Sequence, residues 1–104
     1  MFTWTEKKNR ENKKKHGVLL SDIVDVFNDP HLLDFYDAQH SSLGEDRYIS
    51  LGCFHDTVIL CVVTSDNADG STQIITAREA TSKEKRVYYE HYRKSTARGG
   101  NKSL

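Results

Sequence analysis

Arg47-Tyr48-Ile49-Ser50-Leu51-Gly52-Cys53-Phe54 and Thr57-Val58-Ile59-Leu60-Cys61-Val62-Val63-Thr64 decide how this chain folds. In the first stretch Ile49, Leu51 and Cys53 recur every second residue, the period of a half-buried strand. The second is apolar on both faces, which places it at the centre of a sheet. His55-Asp56 between them is short enough for an antiparallel hairpin. Residues 65–71 turn the chain again and residues 72–78 return it, completing a three-strand meander. If the His55-Asp56 turn has two residues, Cys53 faces Val58 and Cys61 faces Ser50, so the cysteines are not cross-strand neighbours. Both then read as small buried hydrophobes rather than a disulfide, as suits a reducing compartment.

Before the meander, residues 2–4 suggest a short edge strand. Thr5 can cap a helix over residues 5–16, which Gly17 stops and whose last turn carries Lys13, Lys14 and Lys15. That helix is almost wholly polar, so it needs anchors, expected in Asn9, Asn12 and His16 with Phe2 and Trp4 alongside. Ser21 should start a second helix, with Ile23, Val26 and Phe27 at helical spacing and Asn28-Asp29-Pro30 ending it. Residues 32–36 read as a strand and residues 37–44 as a polar loop. Thr81-Ser82-Lys83-Glu84 forms a capping box for a last helix, with Val87, Tyr88, His91 and Tyr92 as its inward stripe. The expected architecture is α+β: an antiparallel sheet of about four strands, two N-terminal helices and one C-terminal helix. Residues 1–94 make one domain, and residues 95–104 a flexible C-terminal tail.

The 104 residues have a net charge of zero, but the charge is segregated. Residues 1–17 balance at +4 and residues 81–104 at +5, against −7 over residues 18–56 and −2 over residues 57–80. Two basic helices flanking a sheet can present one positive face to nucleic acid. Alternatively, the basic ends pair internally with the acidic middle. No stretch is long or apolar enough to span a bilayer, and the opening residues lack the apolar run of a signal peptide. The expectation is a cytoplasmic protein. The histidines lack metal-ligand spacing and no phosphate-binding glycine loop or nucleophile elbow appears, so neither metal nor cofactor is expected.

Several cations stand where an anion could be held. Arg78 leaves a strand just before a helix start, where a guanidinium fork and a helix N-terminus can share a phosphate. A salt bridge to a carboxylate is its other reading. His16 is either a proton carrier or a helix-terminal residue fixing the turn at Gly17. Glu84 reads as the capping-box partner.

In sequence order, Phe2, Trp4, Asn12, Lys15-His16-Gly17-Val18, Val26-Phe27, Asp29, Glu45, Arg47-Tyr48, Gly52, residues 59–64, Ile74-Ile75-Thr76-Ala77-Arg78, Ala80, Glu84 and Tyr88 resemble the BrnT toxins of bacterial type II toxin–antitoxin systems. The resemblance implies a fold like that of the RelE ribonucleases and an endoribonuclease that inhibits translation without a metal. It also implies neutralisation by a BrnA-like antitoxin, in a higher-order complex that binds operator DNA through the antitoxin. For cleavage by 2′-hydroxyl attack, the candidate catalytic residues are His16, Glu45, Arg47 and Arg78. Arg47 and Arg78 are expected to converge on one cationic hollow, with Glu45 as base or as orienter of Arg47. Lys13, Lys14, Lys15 and Arg86 are the candidate RNA-binding cations. The chain departs from the family pattern at Ser65-Asp66 and at Gln73, where the family carries arginines. Those changes motivate a second expectation, a weakened or inactive module that keeps the fold and binds RNA or the antitoxin.

Overall fold

A computed structural model describes the backbone of residues 1–102 and the side chains of residues 1–95. The order is β1 (Phe2–Thr3), α1 (Glu6–His16), a 3₁₀ helix (Ile23–Asn28), β2 (Leu33–Tyr36), β3 (Arg47–Phe54), β4 (Val58–Asp66), β5 (Thr72–Glu79) and α2 (Ser82–Lys102). The strands form one sheet in the order β1-β5-β4-β3-β2. The meander is present as expected, with β4 central. The fold class is α+β, but the sheet has five strands and is mixed, not antiparallel with about four. Phe2 pairs with Thr72 and β1 runs parallel to β5. Hydrophobic alternation signals a strand but not the direction of one paired seventy residues away.

Side-chain hydrogen bonding explains the N-terminal half. The Lys8 amide donates to Thr5 Oγ1 at 3.2 Å, and Gly17 (φ 78°) closes α1 in the left-handed conformation. Asn12, buried on this polar helix, docks it: Nδ2 donates to the Val18 and Ala77 carbonyls, each at 2.8 Å, and Oδ1 accepts from the Ala77 amide at 3.1 Å. A side-chain amide thus does for β5 at Ala77 what a neighbouring strand would do. Asn9 engages Ser21 similarly, through its hydroxyl and its amide, both at 3.3 Å. Ser21 is therefore not the cap of a second α-helix. The segment tightens into a 3₁₀ helix whose N-cap position, Asp22, makes no side-chain cap bond.

Two apolar layers sandwich the sheet. On its first face Leu20, Ile23 and Val26 meet Leu60, Val62, Ile74 and Ala77. On its second face Leu51, Ile59 and Cys61 meet Ala80 and Tyr88. Gly52 lets the 3₁₀ helix approach: a Cβ there would stand 2.7 Å from Leu32 Cδ1 and 3.2 Å from the Val26 carbonyl oxygen. Asp29 ties three elements together. Its carboxylate accepts from the His31 amide at 2.9 Å, the Cys53 amide at 2.8 Å and the Tyr88 hydroxyl at 2.5 Å.

The β3–β4 connection has three residues, with His55 and Asp56 both at positive φ. Register shifts by one from a two-residue turn, so Cys53 faces Ile59 and Cys61 faces Leu51. Both cysteines are free thiols. The capping box forms, with the Glu84 amide donating to Thr81 Oγ1 and the Thr81 amide to Glu84 Oε1. Of the expected inward stripe on α2 only Tyr88 is buried; Val87 and Tyr92 are exposed, Tyr92 packing against the His31 ring. The backbone expected as a tail from residue 95 continues α2 through Lys102, and residues 103–104 lie outside the described residues. No described helix is long and apolar enough to cross a membrane.

Candidate functional site

The strand-to-helix corner after β5 carries the most organised polar geometry. Arg78 Nη1 and Nη2 donate to the two oxygens of Glu84 at 2.8 and 3.0 Å, a bidentate fork. Glu84 also accepts from the Thr81 amide. The Arg78 guanidinium in particular holds the Glu84 carboxyl down at about 2, so it is a fixed anion and a poor base. The pair in turn raises Arg78 further. Beneath lies the Cys61 thiol, which burial pushes up to about 11. Arg78 thus takes the second of its two readings, a salt bridge to a carboxylate, and Glu84 is both cap and clamp. Helical spacing found the cap. The clamp spans a strand-to-helix corner, for which spacing along the chain carries no signal.

Arg47 lies at the start of β3, where Nε donates to Glu45 Oε1 at 3.0 Å; that oxygen also accepts from Ser65 Oγ at 3.5 Å. Glu45 is placed to orient Arg47. Register puts both arginines on the second face, since Arg47 pairs with Ser65 and Arg78 with Cys61 on β4. Four residues along β4 and two strand spacings across separate them, roughly 16 Å between Cα atoms. They share a face but do not converge on one phosphate.

His16 stands at the other side of Arg78's strand. With Lys8, Glu11, Asn12, Lys15, Ile75 and Thr76 it lines a hollow of about 150 Å³ between α1 and β5. Asn12, one turn before His16, holds that helix against Ala77, the residue next to Arg78. The candidate catalytic set therefore divides. His16 and Arg78, with the RNA-binding candidate Lys15 beside His16, lie toward the C-terminal half of β5, while Glu45 and Arg47 sit toward the other end of the sheet. Lys13 Nζ caps the helix at the Gly17 carbonyl, at 3.2 Å. Lys14 and Arg86 are exposed, on α1 and α2.

None of the ion pairs among the described residues joins α1 to the acidic middle of the chain. Internal pairing of the basic N-terminal stretch with residues 18–56 is thus not what the structure shows. The described residues also contain no group of three or more His, Cys, Asp or Glu side chains able to hold a metal ion.

A family model described as "Ribonuclease toxin, BrnT, of type II toxin-antitoxin system" matches residues 4–84. Among solved structures, the fold is similar to that of the Brucella abortus ribonuclease toxin BrnT. The TM-score is 0.63 at 23% identity, over 78% of this chain and 97% of that one. No curated protein matches.

Proposed function

The chain belongs to the BrnT family of ribonuclease toxins of type II toxin–antitoxin systems, a family that implies an antitoxin partner, and we propose that its own cationic edge along α1 and β5 binds and cleaves RNA. The observation that carries this reading is that the lysines of α1 enter no ion pair among the described residues while Asn12 holds their helix beside the strand of Arg78. An RNA strand laid along that edge meets Lys15 and Arg78 as phosphate ligands. His16 takes the proton of a 2′-hydroxyl, the oxygen bonds to the adjacent phosphorus as the bond to the 5′-oxygen breaks, leaving a 2′,3′-cyclic phosphate, and the 5′-oxygen takes a proton from water. Arg78, preoriented by Glu84, stabilises the charge that accumulates on the phosphoryl oxygens. Arg47, Lys13, Lys14 and Arg86 bind the strand further along. The reaction needs no metal, takes place in the cytoplasm and stops translation. A BrnA-like antitoxin restrains the chain and, within the larger complex, carries the operator-DNA contacts.

A second reading is a module that binds RNA or the antitoxin and turns over slowly. The Arg78–Glu84 fork favours it, because a phosphate must compete with a carboxylate for both terminal nitrogens. Asp66 and Gln73, where the family pattern has arginine, favour it too. Incubating the purified chain with total RNA in excess chelator separates the two. Cleavage that falls by ~10²–10³ in Arg78→Ala and in His16→Ala supports the enzyme. Equal and negligible cleavage by wild type and both variants, with RNA still retained, supports the binding module. Undiminished cleavage by both variants overturns the assigned site.

A further inference from the structure

The first face of the sheet is covered by the 3₁₀ helix and its flanking residues over only part of its length. Beyond them lies a hollow of about 260 Å³, open to solvent. Its floor is Ser50 and Thr64, exposed by only 1% and 4%. Tyr48 lies above that floor, and Phe27, stacked on Phe2 with ring centroids 4.3 Å apart, forms one wall. Asp34 and Asp66 flank the hollow from β2 and β4. Asp46 adjoins it, accepting from the Tyr36 hydroxyl at 3.3 Å, and Tyr36 packs edge-on against Tyr48.

Each carboxylate has a neutral donor: Ser50 for Asp34, Tyr36 for Asp46, and Thr72 for Asp66. None of the three enters an ion pair among the described residues. Burial first, then the charges of Asp46 and Asp66, push the Tyr48 phenol up. Two carboxylates and an aromatic ring therefore line a space, with a third carboxylate adjoining it, that no side chain among the described residues fills.

We propose that this hollow is a docking socket for an arginine or lysine side chain carried by a segment of a protein partner. The cation would lie over the Tyr48 ring, where face and charge both attract it, with carboxylates on either flank. RNA does not suit the socket, because its phosphates would meet three uncompensated carboxylates. A bare ion does not suit it either: register sets the Cα atoms of Asp34 and Asp66 roughly 16 Å apart, too far to ligate one centre. A long, flexible cationic side chain matches both the depth and the spread of charge. This inference stands apart from the ribonuclease reading, since it uses neither Arg78 nor α1.

The test uses the full chain and a short peptide alternating arginine with serine, followed by calorimetry at low salt. The wild type should bind it, and the same peptide with glutamate in place of arginine should not bind. Asp66→Asn, Asp34→Asn and Tyr48→Leu should each weaken binding at least about tenfold. Asp56→Asn, which removes one charge at the β3–β4 turn, should leave it unchanged. Thermal unfolding of each variant confirms that it is folded. Absence of binding to the wild type overturns the proposal, as does equal weakening by Asp56→Asn. So does a wild-type dimer that Asp66→Asn dissolves, since the occupant is then a second copy of this chain. Binding of a single-stranded oligonucleotide to the wild type that Asp66→Asn weakens overturns it as well, since the socket then holds nucleic acid.

Discussion

Glu84→Gln should make stability respond to acid in a way that isolates the Arg78 fork. Glutamine keeps the capping-box bond to the Thr81 amide, so helix initiation is largely preserved and charge is the main loss. In the wild type the carboxyl is displaced from its ordinary 4.5 to about 2. In full, that separation corresponds to about 3 kcal/mol between the folded and unfolded chain. The Arg78 side chain is 39% exposed and Glu84 26%, so solvent screening reduces the figure to roughly 1–2 kcal/mol. A carboxyl depressed in the folded state stabilises above its unfolded value and loses that contribution as pH falls toward the folded one. Urea unfolding of both proteins should therefore show the variant less stable by roughly 1–2 kcal/mol at pH 7. The gap should narrow below about pH 4.5, with more than half of it gone near pH 3. At pH 7 the melting temperature should fall by roughly 5–15 °C. A gap that stays constant from pH 7 to pH 3, or no gap at all, would refute the claim that an ionised fork holds this corner.

Asn12→Ala removes three hydrogen bonds and strands the Ala77 amide at a buried sheet edge. It should cost about 2–4 kcal/mol and sharply raise hydrogen exchange at Ala77; slow exchange there would show that something other than Asn12 protects β5. Tyr88→Phe deletes the 2.5 Å bond to Asp29 while the carboxylate keeps its two backbone donors. Calorimetric melting should register a loss of about 1.5–3 kcal/mol, and an unshifted transition would remove Asp29 as the tie between α2 and β3.

The parts of this fold that could be read from sequence are those governed by local rules. Alternation in Ile49, Leu51 and Cys53 marks β3, and the double-sided apolar run marks central β4. Thr5, Gly17 and the Thr81–Glu84 box mark helix ends through hydrogen bonds made within one turn. What was not legible depends on contacts distant in sequence or on backbone choices with near-equal cost. Ser21 looks like a cap, yet Asn9 claims both its hydroxyl and its amide from twelve residues away. His55 and Asp56 do turn the chain tightly, both at positive φ, but Thr57 joins the connection and moves every β4 partner by one. The candidate site suffered similarly. Arg47 and Arg78 do share a face, but only because the bulge between β4 and β5 moves Arg78 from opposite Leu60 to opposite Cys61, and their separation along β4 depends on that bulge and on the β3–β4 register.

The residues that carry the family resemblance now have individual physical reasons, and most of them are structural. Asn12 substitutes for a strand, Gly52 admits the 3₁₀ helix, Asp29 and Tyr88 tie α2 to β3, and Glu84 holds Arg78. A pattern built from such residues identifies the fold strongly and the chemistry weakly, because each would be retained by a chain that had lost turnover. The chemistry must therefore be argued from side chains the fold does not consume. On α1 those are the lysines left outside every described ion pair, and on the far part of the first face they are Asp34, Asp46 and Asp66. A chain of zero net charge that leaves both sets uncompensated forgoes internal Coulomb stabilisation at two separate places. The two patches have opposite sign and cannot serve one ligand, so the proposed RNA and the proposed cationic partner segment take different surfaces. A partner that neutralises the chain could then grip the acidic socket and reach the basic edge at once, gaining affinity from both without either patch changing shape.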